Sequence, residues 1–504
     1  MAVMDMTWYL QDLKKLINRK DYFMKVLQNL EPAGVFRFFE EICQIPHTSF
    51  HEKQLSDYCV AFAKERNLYC EQDELGNVII IGEATEGYED VEPIILQGHL
   101  DMVGDKAPDC DIDLEKDPLR LGIDGDWIYA EGTTLGGDDG IAVAYGLALL
   151  DDPSIPRPRL EVVLTVSEEV GLIGASAIDL SCCKAKRLLN VDSEEEGIFT
   201  VGCAGGMRVQ ADIPVSRVPA SGLCLDFKFQ GILGGHSGIE INNGLANANA
   251  LTGRFFMMLK KVCDFEVITL SGGVKENVIP KDAAFSLLVK QEDLAVVEKE
   301  LADFNAEIKA EYAAADPNAT LIMASAGVSD AYVLDDASMD KLITALNLMP
   351  NGVQAMCIDL PGLVETSLNM GVVRLSEDNL QICLSIRSSV STAKAYIANK
   401  VEQLTKFLGG TVSTSGEYPA WPLARESKFR EQCIEVYKNL YDKDPEVVTI
   451  HAGLECGILS EKIPGLDCIS VGPNLKEIHT IKERASISSI ARVWEFIKAV
   501  LAYK

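Results

Sequence analysis

Two hydrophobic periodicities alternate along much of the chain. Apolar residues at three- and four-residue spacing predict helices at 35–43, 52–64 and 140–150. Short, nearly continuous apolar runs predict strands at 77–81, 93–96, 160–166 and 187–191. Apolar strands that alternate with helices are typical of a sheet covered on both faces. We therefore expect an α/β fold with a mixed, mostly parallel sheet sandwiched by helices.

The pattern changes near residue 205 and predicts a second domain inserted into the first. Alternating apolar and polar residues indicate half-exposed strands at 207–213 and 223–230, a helix at 245–262, and strands at 283–289 and 379–386. This is an α+β pattern, and the Gly- and Pro-containing stretch 408–422 is the expected connection back to the first domain. The expected organisation is a helical extension at 1–32, a main domain at 33–205 plus 418–504, and an insertion at 206–417.

Composition narrows the class of protein. The chain has 504 residues, of which 46 are basic and 76 acidic, so its formal net charge is −30. Such a charge disfavours nucleic acid and anionic membranes as partners, because both attract basic surfaces. None of the 14 cysteines has the spacing of a zinc knuckle, and several lie in apolar stretches, which indicates reduced thiols. With no secretory signal and no bilayer-length apolar run, the expected location is the cytoplasm.

Candidate chemistry lies where the predicted strands end. His99 and Asp101 follow the strand at 93–96, Glu168 and Glu169 follow the strand at 160–166, and Asp192 follows the strand at 187–191. Ligands of open α/β sheets bind beyond the carboxyl ends of the strands, so these groups are expected near one point. Clustered carboxylates repel each other unless a cation neutralises them, which favours a metal site. Taken singly, a His-x-Asp segment is more often structural, and an acidic loop is more often solvated.

A glycine-rich loop at 132–140 precedes one of the predicted helices. It lacks the Gly-Lys-Ser/Thr of a phosphate-binding loop and carries Asp138 and Asp139 instead. An aspartate here either bridges two metal ions or interacts with the helix dipole at the N-terminus. Histidine is scarce, with six in the chain, and His479 near its end is the candidate for a second imidazole ligand. His236, flanked by glycines at 233–238, has the context of an exposed functional side chain.

Five motifs together resemble the aminoacyl-histidine dipeptidases, also called peptidase D. This family belongs to the co-catalytic zinc exopeptidases that include carboxypeptidase G and the aminotripeptidases. The resemblance runs from about residue 33 to the C-terminus. The motifs are GHLDMV at 98–103, GTTLG at 132–136, SEEVG at 167–171, NVDSEEEG at 190–197 and HAGLECG at 451–457.

The resemblance implies a site for two divalent ions, zinc with manganese or cobalt as alternatives. One ion would be held by His99 and Asp192, the other by Glu169 and His479, and Asp138 would bridge them. Asp101 would orient His99, and Glu168 would act as general base. The inserted domain would be a lid, in which Arg387 and Asn277 meet the substrate carboxylate and His236 steadies the oxyanion, in some relatives across a homodimer interface.

The function implied by the resemblance is cytosolic hydrolysis of dipeptides, of the Xaa-His type and more broadly. An aminotripeptidase or an N-acyl amino acid amidohydrolase would use the same site, and a catalytically inactive binding protein would lack a ligand or the base. Two departures from the family pattern are visible in the sequence. Asp139 stands where relatives usually have asparagine, and residues 480–483 read Thr-Ile-Lys-Glu where relatives usually have Ser/Thr-Pro-Asp/Glu after the last ligand.

Overall fold

The computed structural model describes residues 26–358 and 360–504 and divides into two compact units. The first unit comprises the described residues up to Phe199 together with Lys428–Glu446 and Ser470–Lys504. The second unit comprises Thr200–Ser427 and Val447–Ile469. The helical extension expected at 1–32 lies largely outside the described residues.

The secondary structure alternates in the first unit and is dominated by long strands in the second. The helices of the described residues are α1 (Ala33–Cys43), α2 (Lys53–Glu65), α3 (Gly137–Asp151), α4 (Ile173–Ala177), α5 (Ala248–Leu259), α6 (Leu294–Glu311), α7 (Asp336–Leu348), α8 (Ser391–Phe407), α9 (Lys428–Tyr441), α10 (Glu455–Lys462) and α11 (Ile487–Ala502). The strands are β1 (Tyr69–Gln72), β2 (Val78–Gly82), β3 (Ile94–His99), β4 (Leu121–Asp124), β5 (Trp127–Ala130), β6 (Leu160–Thr165), β7 (Arg187–Asn190), β8 (Ile198–Cys203), β9 (Gly205–Pro214), β10 (Arg217–Gln230), β11 (Gly235–His236), β12 (Phe265–Gly272), β13 (Val278–Ile279), β14 (Ala283–Val289), β15 (Thr320–Leu334), β16 (Gly352–Met356), β17 (Val364–Leu375), β18 (Asn379–Ser388), β19 (Thr411–Tyr418), β20 (Glu446–Ile450), β21 (Asp467–Ser470), β22 (Leu475–Lys476) and β23 (Arg484–Ser486).

A mixed sheet organises the first unit. Five of its strands lie side by side in the order β1-β2-β6-β3-β7, and β3 is parallel to both of its neighbours. Every residue of β2, β3 and β6 is buried, as expected for strands covered on both faces. Helix α3 packs on β3 and on α1, and it is buried around almost its whole circumference. The parallel strands therefore end at one edge of a rigid, apolar core.

A large antiparallel sheet organises the second unit. Its strands follow the order β15-β10-β14-β12-β17-β18-β9-β19, with β16 paired to β17. Along the last part of β10, buried and less buried residues alternate, which leaves one face for the core. Phenylalanines fill that core, with the rings of Phe227 and Phe285 stacked at 4.9 Å and Phe256 meeting Phe285 edge-on.

The structure agrees with most of the predicted elements, and the largest difference lies at residues 408–422. The strand predicted at 283–289 is β14, and the helix predicted at 35–43 is α1. Residues 408–422, expected to be a connection, instead contain β19, which pairs with β9 at the edge of the large sheet. Polar residues occupy most of β19 because its side chains are largely exposed, so it lacks the hydrophobic signal of a strand. Among the described residues, no helix has both the length and the apolar character needed to cross a membrane.

Candidate metal centre

Three neighbouring strands of the first unit direct polar side chains to one edge of its sheet. Strand β3 ends at His99, which is in register with Thr165 at the end of β6. On the other side of β3, strand β7 ends at Asn190, two residues before Asp192. Because all three strands are parallel, Glu168, Glu169 and Asp192 emerge at the same edge as His99.

Asp138 contacts two imidazoles through its two carboxylate oxygens. Its Oδ1 lies 3.1 Å from Nε2 of His99, and its Oδ2 lies 3.3 Å from Nε2 of His479. The backbone at Asp138 has φ −87° and ψ 102°, which is not helical, although α3 begins at the preceding residue. This local departure from the helix turns the carboxylate toward both rings.

The adjacent Asp139 has a different position. Its Oδ2 accepts a hydrogen bond from the backbone N–H of His99 at 3.1 Å, and its side chain is buried. A Cβ at Gly98 would overlap with this carboxylate, so glycine at 98 is required for the contact. Asp139 therefore ties helix α3 to the end of β3, and Asp138 is left to face the histidines.

The structure brings all five predicted ligands into connected groups. One ligand atom from each member lies within 4.8 Å of the others in the group His99, Asp138 and Asp192, and in the group Asp138, Glu169 and His479. The two groups share Asp138. A third group with the same spacing joins His99, Glu168 and Glu169. These residues come from positions 99 to 479 of the chain, and the site is assembled only by folding.

Asp101 is held beside His99 by several donors. Its carboxylate accepts hydrogen bonds from the backbone N–H groups of Glu168 at 2.8 Å and Glu169 at 3.2 Å, and from Oγ of Ser49 at 2.8 Å. Nδ1 of His99 lies 3.4 Å from this carboxylate and 2.9 Å from the backbone carbonyl of Asp101. Both acceptors favour a proton on Nδ1, which leaves Nε2 free to bind a metal ion.

The loop that carries the two glutamates has its own anchor. Ser167 has φ +53°, a left-handed conformation that is uncommon for a residue with a side chain. Its backbone N–H and its Oγ both donate to Oε1 of the buried Glu52, each at 2.8 Å. Glu52 thus fixes the turn that presents Glu168 and Glu169 to the site.

Glu483 holds the loop that carries Asp138. Its buried carboxylate accepts hydrogen bonds from the backbone N–H groups of Leu135 at 2.8 Å, Gly136 at 3.1 Å, Gly137 at 2.8 Å and Asp138 at 3.4 Å. These donors lie at the N-terminus of α3, where backbone N–H groups lack helical partners and a negative charge is favourable. The sequence shows Glu483 only as part of the altered segment after His479, and its partners are visible only in the fold.

Neighbouring groups of the cluster shift each other's pKa values. Burial alone would lower the pKa of His479, but hydrogen bonds with Asp138 and Glu169 raise it to about 10. Burial also opposes the charge on His99, yet Asp101 and Asp138 raise the pKa of that imidazole well above its usual range. The pKa of Asp192 is raised by burial and by the neighbouring charge of Asp138. A cation at this point would relieve the repulsion among the carboxylates and displace the protons from both rings.

A second group of predicted residues lies in the second unit. His236 is in β11, and its Nδ1 accepts hydrogen bonds from the backbone N–H groups of Gly238 at 3.3 Å and Ile239 at 3.2 Å. Asn277 precedes β13, and its backbone carbonyl accepts from the N–H of Ser237 at 3.0 Å. These contacts place the predicted histidine and asparagine on one pair of short strands.

The third predicted residue of this unit, Arg387, is a buried cation. It is only 8% exposed, and its Nη1 donates to Oη of Tyr418 at 3.0 Å. Across the described part of the chain, no carboxylate lies within ion-pair distance of its guanidinium. Burial, followed by the charge of Arg387, lowers the pKa of His236, which favours the neutral form of its ring. A buried cation without an anionic partner is the expected feature of an anion-binding site.

The chain belongs to a peptidase family. Residues 95–503, which form most of the sequence, match the model of peptidase family M20/M25/M40. This membership confirms the prediction that the chain is a peptide hydrolase. The predicted family resemblance is confirmed by the two relatives described next. The predicted α/β fold class with an α+β insertion is also confirmed, by the family match and by the first solved structure described next.

Two relatives resemble the chain over nearly its whole length. The cytosol non-specific dipeptidase of Escherichia coli (strain K12) is 38% identical over 480 residues, which are 95% of this chain and 99% of the relative. The crystal structure of aminoacylhistidine dipeptidase from Vibrio alginolyticus has a TM-score of 0.87 and 34% identity, covering 94% of this chain and 97% of that one. The aminopeptidase PepT of Bacillus cereus ATCC 10987, with a TM-score of 0.55 and 16% identity over 94% of this chain and 98% of that one, shares the fold.

Proposed function

We propose that this peptidase hydrolyses dipeptides, including the Xaa-His type, with two divalent metal ions in the cluster of the first unit. The observation that carries this proposal is the position of Asp138, whose two oxygens face His99 and His479 separately. One carboxylate between two imidazoles is the arrangement that a bridged pair of ions requires. Both relatives that match the chain over nearly its whole length are named dipeptidases, which supports dipeptides as substrates.

The donor set fits such ions. In the described part of the chain, no lysine or arginine lies within 4.0 Å of the carboxylates of Asp138, Glu169 or Asp192. Their charge is balanced by the two histidines alone, so a cation is needed for all three to remain ionised. Imidazole and carboxylate ligands without thiolate suit zinc, and they also accept manganese or cobalt. We propose zinc held by His99 and Asp192, a second ion held by Glu169 and His479, and Asp138 as the bridge.

Glu168 is the proposed general base. When bound, the two ions supply Lewis acidity that lowers the pKa of water toward 7 and polarises the peptide carbonyl. Glu168 takes the proton of the attacking water and returns it to the leaving amine. Its backbone N–H is fixed by Asp101 at 2.8 Å, and its carboxylate lies within 4.8 Å of ligand atoms of His99 and Glu169.

Three residues of the second unit are proposed to bind the dipeptide, two at its free carboxylate and one at the oxyanion. Arg387 offers its unpaired charge to the carboxylate of the dipeptide, and Asn277 contributes an amide to the same group. Because Nδ1 of His236 accepts two backbone N–H groups, its neutral ring carries the proton on Nε2. That N–H is a donor for the oxyanion that forms when the carbonyl is attacked.

Replacing Glu168 tests the proposed chemistry. We expect Glu168→Ala to remove nearly all hydrolysis of Xaa-His and other dipeptides while the chain still binds about two ions, because the base is not a predicted ligand. Turnover is measured on dipeptides, tripeptides and N-acetylated amino acids, and bound metal is measured by mass spectrometry. Glu195→Gln, at an exposed glutamate of the first unit, is the matched control.

The outcome of this experiment separates the alternatives. More than a few per cent residual activity in Glu168→Ala would exclude Glu168 as the base. A wild-type preference for tripeptides or N-acetylated amino acids would instead indicate an aminotripeptidase or an amidohydrolase. Absence of all hydrolysis with two ions bound would favour the inactive binding protein.

We further propose that the enzyme works in the cytoplasm as a homodimer joined through the second unit. The 14 cysteines are free, which is typical of a reducing compartment, and one relative is named for the cytosol. Strand β15 is at the end of the strand order and has an outer edge available for pairing. The mass of the protein in solution tests the dimer.

A further inference from the structure

A tyrosine of the second unit contacts the buried guanidinium of Arg387. Of the five N–H groups of Arg387, one makes a hydrogen bond in the described part of the chain, and its acceptor is Oη of Tyr418. Nε is buried without a partner. The guanidinium is therefore fixed from one corner, and its remaining donors are available to a ligand.

The contact is made across an intervening strand. In the register of the antiparallel sheet, Arg387 of β18 is opposite Gly206 of β9, and Gly206 is opposite Tyr418 of β19. Strands lie about 4.8 Å apart, so Arg387 and Tyr418 are separated by roughly twice that distance. Residues opposite each other point to the same face, so two long side chains can meet above the strand between them.

Glycine at 206 makes this meeting sterically permissible. A Cβ built at Gly206 would overlap with the ring carbons of Tyr418 and would lie 2.5 Å from its Oη. A second glycine limits the ring from the other side, where a Cβ at Gly453 would lie 2.7 Å from Cε2 and 3.2 Å from Oη. The ring of Tyr418 thus lies between two residues that lack side chains.

The backbone of the same tyrosine is also anchored. The carbonyl of Tyr418 accepts a hydrogen bond from Nζ of Lys394 at 2.7 Å, and this lysine is only 3% exposed. Nζ also donates to the carbonyl of Gly206 at 3.3 Å. One buried ammonium group therefore joins the two strands at the position where the ring crosses.

We propose that Tyr418 is a positioning residue that orients Arg387 for the free carboxylate of a short peptide. Its hydroxyl oxygen accepts one N–H of the guanidinium and stops the group from rotating. The opposite N–H groups then meet both oxygens of a carboxylate together, which a freely rotating side chain does less well. The inference rests on the proposed function, because the ligand it orients Arg387 for is the substrate of that reaction.

The test removes the hydroxyl and leaves the ring in place. We expect Tyr418→Phe to raise KM for a dipeptide about tenfold, the usual effect of losing a hydrogen bond to a charged group, with kcat within about twofold of wild type. For the C-terminal amide of the same dipeptide, which has no carboxylate to orient, KM should not change between the two proteins. Tyr396→Phe, at an exposed tyrosine of helix α8, is the matched control and should equal wild type.

An equilibrium measurement separates this inference from the proposed function. The probe is a dipeptide analogue with a reduced peptide bond, used once as the free carboxylate and once as the carboxamide, with binding followed by calorimetry. A loss of affinity in Tyr418→Phe that is confined to the carboxylate supports the inference even if wild type hydrolyses no dipeptide. Equal affinity of wild type and Tyr418→Phe for the carboxylate, or no preference of wild type for it over the carboxamide, overturns the inference even if the enzyme is a dipeptidase.

Gly206→Ala provides an independent check of the geometry. The added methyl group displaces the ring, so the variant should show the same carboxylate-selective loss as Tyr418→Phe. The double variant should lose no more than either single one, because both changes remove the same contact. Additive losses would show that Gly206 acts by another route and that the ring position is not what orients Arg387.

Discussion

At the scale of single residues, two adjacent aspartates have separate tasks. Asp138 faces both histidines, whereas Asp139 accepts the backbone N–H of His99 and is buried against Gly98. A sequence motif with two identical side chains does not reveal this difference. It arises from the non-helical backbone at the start of α3.

The division between the aspartates leads to a paired prediction. We expect Asp138→Asn to lose bound metal and nearly all activity, because an amide cannot supply the charge that a bridging ligand provides. Asp139→Asn should keep about two ions and most of its turnover, because the amide oxygen can still accept the N–H of His99. Metal content and dipeptide hydrolysis are measured on both variants, and equal losses would contradict the assignment.

At the scale of elements, the carboxylate of Glu483 completes the N-terminus of α3. We expect Glu483→Gln to weaken metal binding about 10- to 100-fold, the usual effect of replacing a residue that supports a metal ligand. A glutamine amide has one acceptor oxygen, so it cannot accept all four backbone N–H groups. Metal affinity is measured by competition with a chelator. Glu477→Gln, at an exposed position of the same segment, is the control, and an unchanged affinity in Glu483→Gln would remove its role in presenting Asp138.

Elements with a strong periodicity were predictable from the sequence, and polar ones were not. The buried strands β3, β6 and β7 each contain a run of consecutive apolar residues, and the candidate ligands lie at or just after their ends, so strands and ligands could be placed together. Strand β19 was missed because its exposed side chains are polar. Helix α5 starts at Ala248, later than expected, because the side chain of Asn247 accepts the N–H groups of the first turn.

At the scale of the whole molecule, the buried histidine of the HAGLECG motif makes stability depend on pH. Nε2 of His451 is 2.7 Å from Oγ of Ser367, and the ring is nearly inaccessible. Burial, followed by the charge of Arg387, lowers the pKa of His451 to about 4. The unfolded chain binds this proton near pH 6.5 and the folded chain near pH 4, so the contribution to stability is complete above pH 6.5 and is lost as the pH falls toward 4.

This linkage is measurable as a difference between two proteins. We expect the free energy of unfolding of wild type, relative to His451→Gln, to fall by about 3 kcal/mol between pH 7 and pH 4. The measurement is urea denaturation across that range. His51→Gln, at an exposed histidine, should show no such change relative to wild type, and a constant difference for His451→Gln would exclude the linkage.

The overall organisation was partly accessible from the sequence. The change of pattern near residue 205 indicates an inserted α+β region, and the exact domain boundaries stay predictions. The supporting contacts were not accessible, because the sequence around Ser49, Glu52 and Tyr418 gives no indication of their distant partners. Hydrogen bonds from distant loops leave no periodic signal, whereas the ends of apolar strands do.

The contact between Glu483 and the loop at 135–138 has a consequence for the growing polypeptide. Its two sides are 345 to 348 positions apart, and His479 is contributed by the same late segment. A ribosome must pass residue 483 before Asp138 has this anchor, and it must pass residue 479 before His479 can join the cluster. We therefore expect chains that stop short of residue 479 to lack the proposed metal site and its peptidase activity.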